Sequence, residues 1–198
     1  MRIDRRDLRR RLFSEASEQA GYFTAAQAKS LGYSYQAQAH HVAAGNWTRV
    51  DRGLFRLTDW IPDVHDDLVR WSLWSKSRAV VSHESALSVH GVGEFEAPRV
   101  HLTVPPGFSM KDDAVVLHRD TLRDVDIEDR TGFRVTTPLR SIVDVASLGV
   151  DEEQLSRAIA DGRERGLFTL RALRTSAEMI DPRGALYIER AIHRAEAT

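Results

Sequence analysis

Apolar residues recur at helical spacing at the start of the chain. Leu8, Leu12 and Ala16 lie four residues apart, and Gly21 ends the run. Arginine and other polar residues fill most of the positions between them. The pattern predicts an amphipathic helix within 4–20 that carries an arginine-rich face.

Two shorter helices are predicted next, separated by a glycine turn. The segment TAAQAKSLG begins with Thr24 as a plausible N-cap and ends with Gly32, a residue that readily takes the left-handed conformation closing a helix. The segment SYQAQAHHVAAG follows, with Ser34 as the N-cap and Gly45 at the end. Two short helices joined in this way are a candidate helix-turn-helix motif.

A short β-hairpin is predicted directly after these helices. Residues 47–50 and 54–57 are β-prone and are joined by the turn-forming letters DRG. Trp47 and Val50 are out of phase, which indicates a bulge or a late strand start. We expect Trp47 to hold the hairpin against the helices. Three helices followed by a hairpin is the winged-helix order, in which the second helix of the turn motif enters the major groove.

The rest of the chain mixes helical and strand patterns. WIPDVHDDLVRWSLWSK predicts a loop and a helix, AVVSHESALSVHG a strand and a helix, and RVHLTVP, AVVLHRD and GFRVTT predict strands. Thr137 caps a further helix that begins with Pro138, and more helices follow it. The predicted class is α+β: a winged helix-turn-helix domain (1–60), then a mixed α/β C-terminal domain (61–198) with a small sheet and flanking helices.

The charge distribution changes the picture more than the net charge of −1 does. Residues 1–58 carry ten Lys or Arg against five Asp or Glu, a net of +5, whereas the remainder carries eighteen against twenty-four, a net of −6. A basic first third indicates a polyanionic partner. The alternative is a solvated surface on which these arginines pair with nearby aspartates, each exposed pair contributing about 0–1 kcal/mol.

Five motifs in order resemble the AbiEi-type antitoxins of type IV toxin-antitoxin systems. They are GYFTAAQAKSLGYS, GNWTRVDRGLFRL, VSHESALSVHG, VHLTVP and TTPLRSIVDVA. The resemblance implies an N-terminal winged helix that binds operator DNA and represses its own operon. It also implies a C-terminal domain that counters a cognate nucleotidyltransferase toxin. The chain departs from the expected pattern at Gln38 and His41, where apolar residues would be typical.

The predicted DNA contacts lie in three segments. Glutamines can read adenine edges through bidentate hydrogen bonds, and arginines can attract phosphates without regard to sequence. If about six phosphates are neutralised, the log–log salt slope of binding is near −5. The residues are Ser34, Tyr35, Gln36, Gln38 and His40 in the second helix of the motif, Arg49, Arg52 and Arg56 in the hairpin, and Arg5, Arg6 and Arg9 in the first helix.

The sequence predicts no catalytic, metal or cofactor site. The chain has no cysteine, no acid-x-Lys pair of the restriction-nuclease type and no phosphate-binding GxxxxGK motif. His83 and His90 share one predicted helix, but two turns separate them by about 10 Å, too far to share an ion. We therefore expect a non-enzymatic protein with no cofactor.

Two binding functions follow from these observations, and the third possibility is an enzyme whose chemistry lies in the second domain. The first is a cytoplasmic antitoxin that binds double-stranded operator DNA and counters a nucleotidyltransferase toxin, with direct contact to that toxin left open. The alternative is a winged-helix regulator whose C-terminal domain senses a ligand and has no toxin partner. No apolar run is long enough to predict a membrane partner.

Overall fold

The computed structural model describes residues 4–196. The chain divides into two compact units: the first extends to Ser77 and also includes Thr131–Phe133, and the second begins at Arg78. The first unit thus continues past residue 60, where the sequence predicted the end of the winged helix. Within 4–196, no helix has the length and apolar character needed to cross a bilayer.

The first unit has the winged-helix order. Its strands form an antiparallel sheet in the order β1-β3-β2, so β3 is the central strand. The predicted hairpin and helix-turn-helix are both confirmed, but β1 was not predicted. The elements are α1 (Arg5–Ser17), β1 (Tyr22–Thr24), α2 (Ala25–Leu31), α3 (Tyr35–Ala43), β2 (Trp47–Asp51), β3 (Leu54–Leu57) and α4 (Asp66–Trp74).

Local capping fixes the helix-turn-helix as the sequence predicted. Thr24 and Gln27 form a reciprocal capping box at the start of α2. Gly32 ends α2 in the left-handed region at φ 116°, and the Ser34 hydroxyl then accepts a hydrogen bond from the Ala37 N–H. The first helix stops earlier than predicted, at Ser17, because Ala20 and Gly21 both take positive φ and turn the chain into β1.

Aromatic rings fill the core of the first unit around Trp47. This side chain is only 4% exposed. Its ring meets Phe23 edge-on at 4.8 Å and Tyr33 at 5.1 Å between centroids. The strand, the helical turn and the hairpin therefore share one core, as expected for Trp47.

The second unit combines a five-stranded sheet with helices. The sheet order is β6-β5-β4-β8-β7, with β4 antiparallel to β5 and parallel to β8, and β5 parallel to β6. The elements are β4 (Val80–Val81), α5 (His83–His90), β5 (Val100–Val104), β6 (Val115–Arg119), a 3-10 turn (Asp124–Asp126), β7 (Ile127–Arg130), β8 (Phe133–Thr136), α6 (Pro138–Ser147), α7 (Glu152–Glu164), α8 (Leu170–Ile180) and α9 (Pro182–Glu196).

The largest apolar core of the second unit lies among its helices. Ile142 of α6, Ile159 of α7, Leu173 of α8 and Ile188 of α9 are all buried in one cluster. Thr137 caps α6 and Pro138 opens it, as predicted. The packing of these helices therefore contributes the main core of the second unit.

Candidate nucleic-acid interface

The outer face of α3 is polar and open. Tyr35 is 63% exposed, and Gln36, Ala39 and His40 are also exposed. Ala39 follows Tyr35 by four residues and His40 follows Gln36 by four, so the two adjacent rows form one stripe along the helix. Ser34 lies at the N-terminal end of this stripe, where its hydroxyl caps the helix. The structure thus brings together four of the five candidates predicted in this segment.

Gln38 corrects one of the predicted DNA contacts. The side chain is 3% exposed, and its Nε2 donates to the Ala25 and Tyr33 carbonyl oxygens, each at 3.1 Å. The prediction that Gln38 reads a base is wrong, because the amide points inward and satisfies two backbone acceptors. Gln38 instead holds α3 against the start of α2.

The other unexpectedly polar position, His41, also faces inward. Its ring stacks on Trp47 with centroids 4.6 Å apart. Burial lowers the pKa of His41, and the charges of His40 and Arg9 lower it further. A neutral imidazole at this position packs as an aromatic ring. His40, by contrast, remains exposed on the outer face.

Two of the three hairpin arginines are exposed. Arg49 lies on the same face of β2 as Trp47, two residues away, and its guanidinium covers the Phe55 ring at 5.4 Å. The register shifts between Arg49 and Asp51, which confirms the predicted bulge. Arg52 sits in the turn, next to Gly53. The Gly53 carbonyl accepts a hydrogen bond from the Ala25 N–H at 2.8 Å, so the turn is fixed to the start of α2.

Arg56 corrects a second predicted contact. Its guanidinium forms an ion pair with Asp66 of α4 and lies 4.8 Å from the centre of the Tyr22 ring. The prediction assumed that this face of the hairpin is open. In the structure β3 is the central strand, and Tyr22 and Asp66 lie beside the outer side of Arg56. Arg56 therefore supports the fold of the first unit.

The arginines of α1 are exposed, and one of them lies near α3. Arg5, Arg6 and Arg9 are all exposed on this helix. Arg9 lines a cavity of about 200 Å³ together with Tyr33, His41 and other residues. Burial raises the pKa of Tyr33, and the charge of Arg9 opposes that rise. Arg9 thus adds positive charge beside the helix-turn-helix.

Two residues on this surface were missed by the sequence reasoning. Lys29, near the end of α2, places its Nζ 5.0 Å from the centre of the Tyr35 ring. Ala39 also lies in the exposed stripe of α3, and its side chain is small. Helical spacing of three to four residues from Gln36 would have identified Ala39, but the approach of Lys29 to Tyr35 depends on the turn between the helices. We call the surface formed by Lys29, Tyr35, Gln36, Ala39 and His40 the α3 surface.

A family comparison gives this geometry a context. The model described as "Transcriptional regulator, AbiEi antitoxin" matches residues 10–58, which run from α1 to the residue after β3. The resemblance to the AbiEi-type antitoxins is confirmed over this segment. We refer to residues 10–58 as the AbiEi-like segment. It contains the α3 surface and the hairpin arginines.

A structural comparison covers a longer part of the chain. The chain resembles the crystal structure of the RV2827C protein from Mycobacterium tuberculosis, with a TM-score of 0.63 and 14% sequence identity. The match covers 100% of this chain and 82% of that protein. At this identity the similarity establishes a shared fold, in which the AbiEi-like segment is followed by an α+β unit. No curated protein sequence matches the chain.

Outside the AbiEi-like segment, the second unit contains a buried ionic cluster. Arg140 is 5% exposed and donates from Nε to Asp144 at 2.7 Å and from Nη2 to Asp120 at 2.6 Å. Arg123 binds both carboxylate oxygens of Asp126 at 2.8 Å, and Asp126 also lies 3.5 Å from Arg140. Two arginines thus face three aspartates, of which Arg140, Asp126 and Asp144 are buried while Arg123 and Asp120 are about half exposed.

The carboxylates of this cluster differ in their protonation. Burial raises the pKa of Asp144 to about 6, although Arg140 opposes the rise. Burial would also raise the pKa of Asp126, but the hydrogen bonds and charge of Arg123 outweigh it and lower that pKa. Asp144 Oδ2 is buried and has no hydrogen-bond partner within the described residues. Arg140 therefore favours the ionised form of the buried Asp144 carboxylate.

Proposed function

We propose that the first unit binds duplex DNA with α3 in the major groove and the hairpin arginines on the adjacent backbone. The α3 surface carries the proposal, because it presents hydrogen-bonding side chains outward while Gln38 and His41 are turned into the core. Ser34, Tyr35, Gln36 and His40 are the proposed contacts on α3, with Arg49, Arg52, Arg5, Arg6 and Arg9 as phosphate contacts. Lys29 joins them.

We further propose that the chain is an antitoxin that represses its own operon in the cytoplasm and counters a nucleotidyltransferase toxin. The description of the family that matches the AbiEi-like segment names a transcriptional regulator and an antitoxin, and these two general roles support the proposal. In this proposal the chain acts by binding, and no catalytic step is assigned to it. Neutralisation of the toxin is assigned to the C-terminal domain, predicted as 61–198, and does not require a stable complex.

Replacing Arg49 and Arg52 with alanine tests the phosphate contacts. Both arginines are exposed, so their loss removes charge, and the one core contact described for them is that of the Arg49 guanidinium with the Phe55 ring. Binding to operator and to random DNA is expected to weaken alike, and the log–log salt slope is expected to fall by about 0.9 per arginine. Fluorescence anisotropy with labelled duplexes over a range of salt concentrations measures both.

Arg163→Ala is the matched control for this experiment. Arg163 is an exposed arginine on α7, in the second unit, so the variant loses one positive charge outside the α3 surface and the hairpin. Its salt slope should equal that of the original protein. An equal slope in R49A/R52A as well would show that the hairpin does not touch the DNA backbone.

Gln36 and Gln38 form a second matched pair, two residues apart on one helix. Gln36→Ala is expected to change the unfolding free energy by less than about 0.5 kcal/mol. It should nevertheless reduce the preference for operator over random DNA by about 1–3 kcal/mol. Gln38→Ala removes the two hydrogen bonds from Nε2 to the Ala25 and Tyr33 carbonyl oxygens and is expected to destabilise the first unit by about 1–3 kcal/mol.

Urea unfolding and competition binding separate these two effects. The proposal for α3 is contradicted if Q36A discriminates between operator and random DNA as well as the original protein does. The inward role of Gln38 is contradicted if Q38A unfolds at the original urea concentration.

Co-expression tests the antitoxin role. We expect a nucleotidyltransferase gene beside the gene for this chain, and we expect the full chain to restore growth when that toxin is expressed. R49A/R52A should lose repression of the operon and retain the rescue of growth. Failure of the full chain to rescue would favour the alternative, a winged-helix regulator with a ligand-sensing second unit.

A further inference from the structure

Three histidines from separate elements meet in the second unit. His83 is the first residue of α5, His101 lies in β5 and His118 in β6. One ligand nitrogen from each lies within 4.8 Å of the other two. From the sequence, His83 and His90 were expected to lie too far apart to share an ion, and in the structure the His90 Nε2 lies 2.8 Å from the Thr136 carbonyl oxygen.

The backbone fixes this meeting point. The Ser82 N–H donates to the His101 carbonyl oxygen at 3.0 Å, and the His101 N–H donates to the Ser85 hydroxyl at 2.9 Å. These two bonds hold the first turn of α5 against β5, with His83 between the two serines. His118 pairs with Thr103 in the parallel register, so these two side chains lie on the same face of the sheet. His101 is two residues from Thr103 on β5 and therefore lies on that face as well.

We propose that His83, His101 and His118 bind a divalent zinc ion. The His118 Nε2 and the His101 Nδ1 lie 3.2 Å apart. Two nitrogen ligands of a tetrahedral zinc ion, each about 2.0–2.1 Å from it, are separated by about 3.4 Å. That pair already has the required spacing, and the third nitrogen has to approach by no more than about 1.4 Å. The His83 ring stacks on His118 with centroids 3.6 Å apart and planes 17° apart, so it has to tilt out of this stack to direct its nitrogen at the ion.

The atoms around the three rings suit a metal site. If His101 binds through Nδ1, its Nε2 faces the Glu84 carboxylate, now 3.9 Å away. Such a carboxylate behind a ligating imidazole orients it and strengthens its binding to the ion. The His83 Nδ1 lies 2.9 Å from the Ser82 hydroxyl, which leaves its Nε2 for the ion.

Two further observations point to a bound ligand at this place. His83 has a φ of 55°, a left-handed conformation that is strained for a residue with a β-carbon, and strain of this kind clusters at functional sites. The Thr103 hydroxyl is buried beside His118 on the same face and has no hydrogen-bond partner within residues 4–196. It offers an oxygen to a water in the fourth position of the ion.

The chemistry of the donors selects the kind of ion. Imidazole favours zinc and its neighbours in the first transition row over magnesium or calcium, which prefer oxygen ligands. A zinc ion bound here would connect α5 to β5 and β6. Its expected consequence is greater stability of the second unit.

Zinc titration of the full chain, after removal of metals by a chelator, tests the proposal. We expect one tightly bound zinc per chain in competition with a chromogenic chelator, and a rise in the melting temperature. Co²⁺ should give the visible absorption bands of a tetrahedral nitrogen site, and Zn²⁺ should abolish them. His101→Ala and His118→Ala should each weaken binding by more than the roughly 10–100-fold typical of losing a residue behind a ligand.

Two other variants keep the test decisive. His193→Ala removes an exposed histidine of α9 in the second unit and should leave zinc binding unchanged. Glu84→Gln retains all three ligands and should weaken binding by about 10–100-fold. The proposal is overturned if the original protein binds no zinc, if H101A and H118A bind it as tightly as the original protein, or if the Co²⁺ spectrum is octahedral. Circular dichroism verifies that each variant is folded, and Glu84→Gln still tests the site if a histidine variant is not.

Discussion

Trp47→Ala is expected to lower the unfolding free energy of the first unit by about 3–5 kcal/mol and to abolish specific DNA binding. The indole is buried and contacts three rings: Phe23 of β1, Tyr33 of the turn between α2 and α3, and His41 of α3. Its removal leaves a cavity that the three neighbouring rings cannot fill, because each is held in place by the element that carries it. Urea unfolding and amide hydrogen exchange of residues 22–57 measure the loss.

Tyr35→Ala is the contrasting variant. It also removes an aromatic ring, but one that is 63% exposed, so stability should change by less than about 0.5 kcal/mol while DNA binding weakens. Similar unfolding curves for W47A and Y35A would mean that the hairpin is not held through Trp47.

Arg140→Met is expected to destabilise the second unit by about 3–5 kcal/mol at neutral pH. The variant leaves Asp144 and Asp126 buried without the cation between them. Because Arg140 lowers the pKa of Asp144, its loss should raise that pKa above the present value of about 6. Thermal and urea unfolding between pH 5 and pH 8 measure both effects.

The sign of the pH dependence follows from proton binding. A folded Asp144 with a raised pKa holds a proton at pH values where the unfolded chain, with a pKa of about 3.9, is ionised. Its contribution to stability is therefore lost as pH rises through the folded pKa. The deficit of R140M should be smaller at pH 5 than at pH 8. If the loss of stability in R140M were the same at pH 5 and pH 8, it would come from packing alone and not from the ionisation of Asp144.

Arg157→Met is the control for this charge. The Arg157 side chain is 60% exposed and pairs with Glu153 on the surface of α7. Its loss is expected to change stability by about 0–1 kcal/mol at either pH. The contrast separates a buried guanidinium from an exposed one in the same unit.

Features set by neighbouring residues were predictable from the sequence. Thr24, Gly32, Ser34 and Thr137 act through caps and turns within a few residues, and each was placed correctly. β1 was missed because it has three residues, too few to show an alternating pattern. Its existence depends on pairing with β3, thirty residues further along the chain.

The candidate interface was predictable only in part, for a similar reason. The sequence identified the arginines of the hairpin. It gave no indication that Asp66, on α4, lies close enough to form an ion pair with Arg56. The absence of apolar residues at Gln38 and His41 was visible in the sequence, and both positions turn out to face the core of the first unit. The meeting of His83, His101 and His118 requires the sheet topology and no local pattern reports it.

The main chain of Ala25 joins the hairpin turn to α3. Its N–H binds the Gly53 carbonyl, and its carbonyl accepts from Gln38. The two parts that would grip DNA are thus preorganised, and little entropy remains to be lost when they dock. An operator whose groove and backbone do not match this fixed spacing has to deform to bind, so sequence-dependent DNA stiffness would contribute to selectivity beyond the bases that are touched.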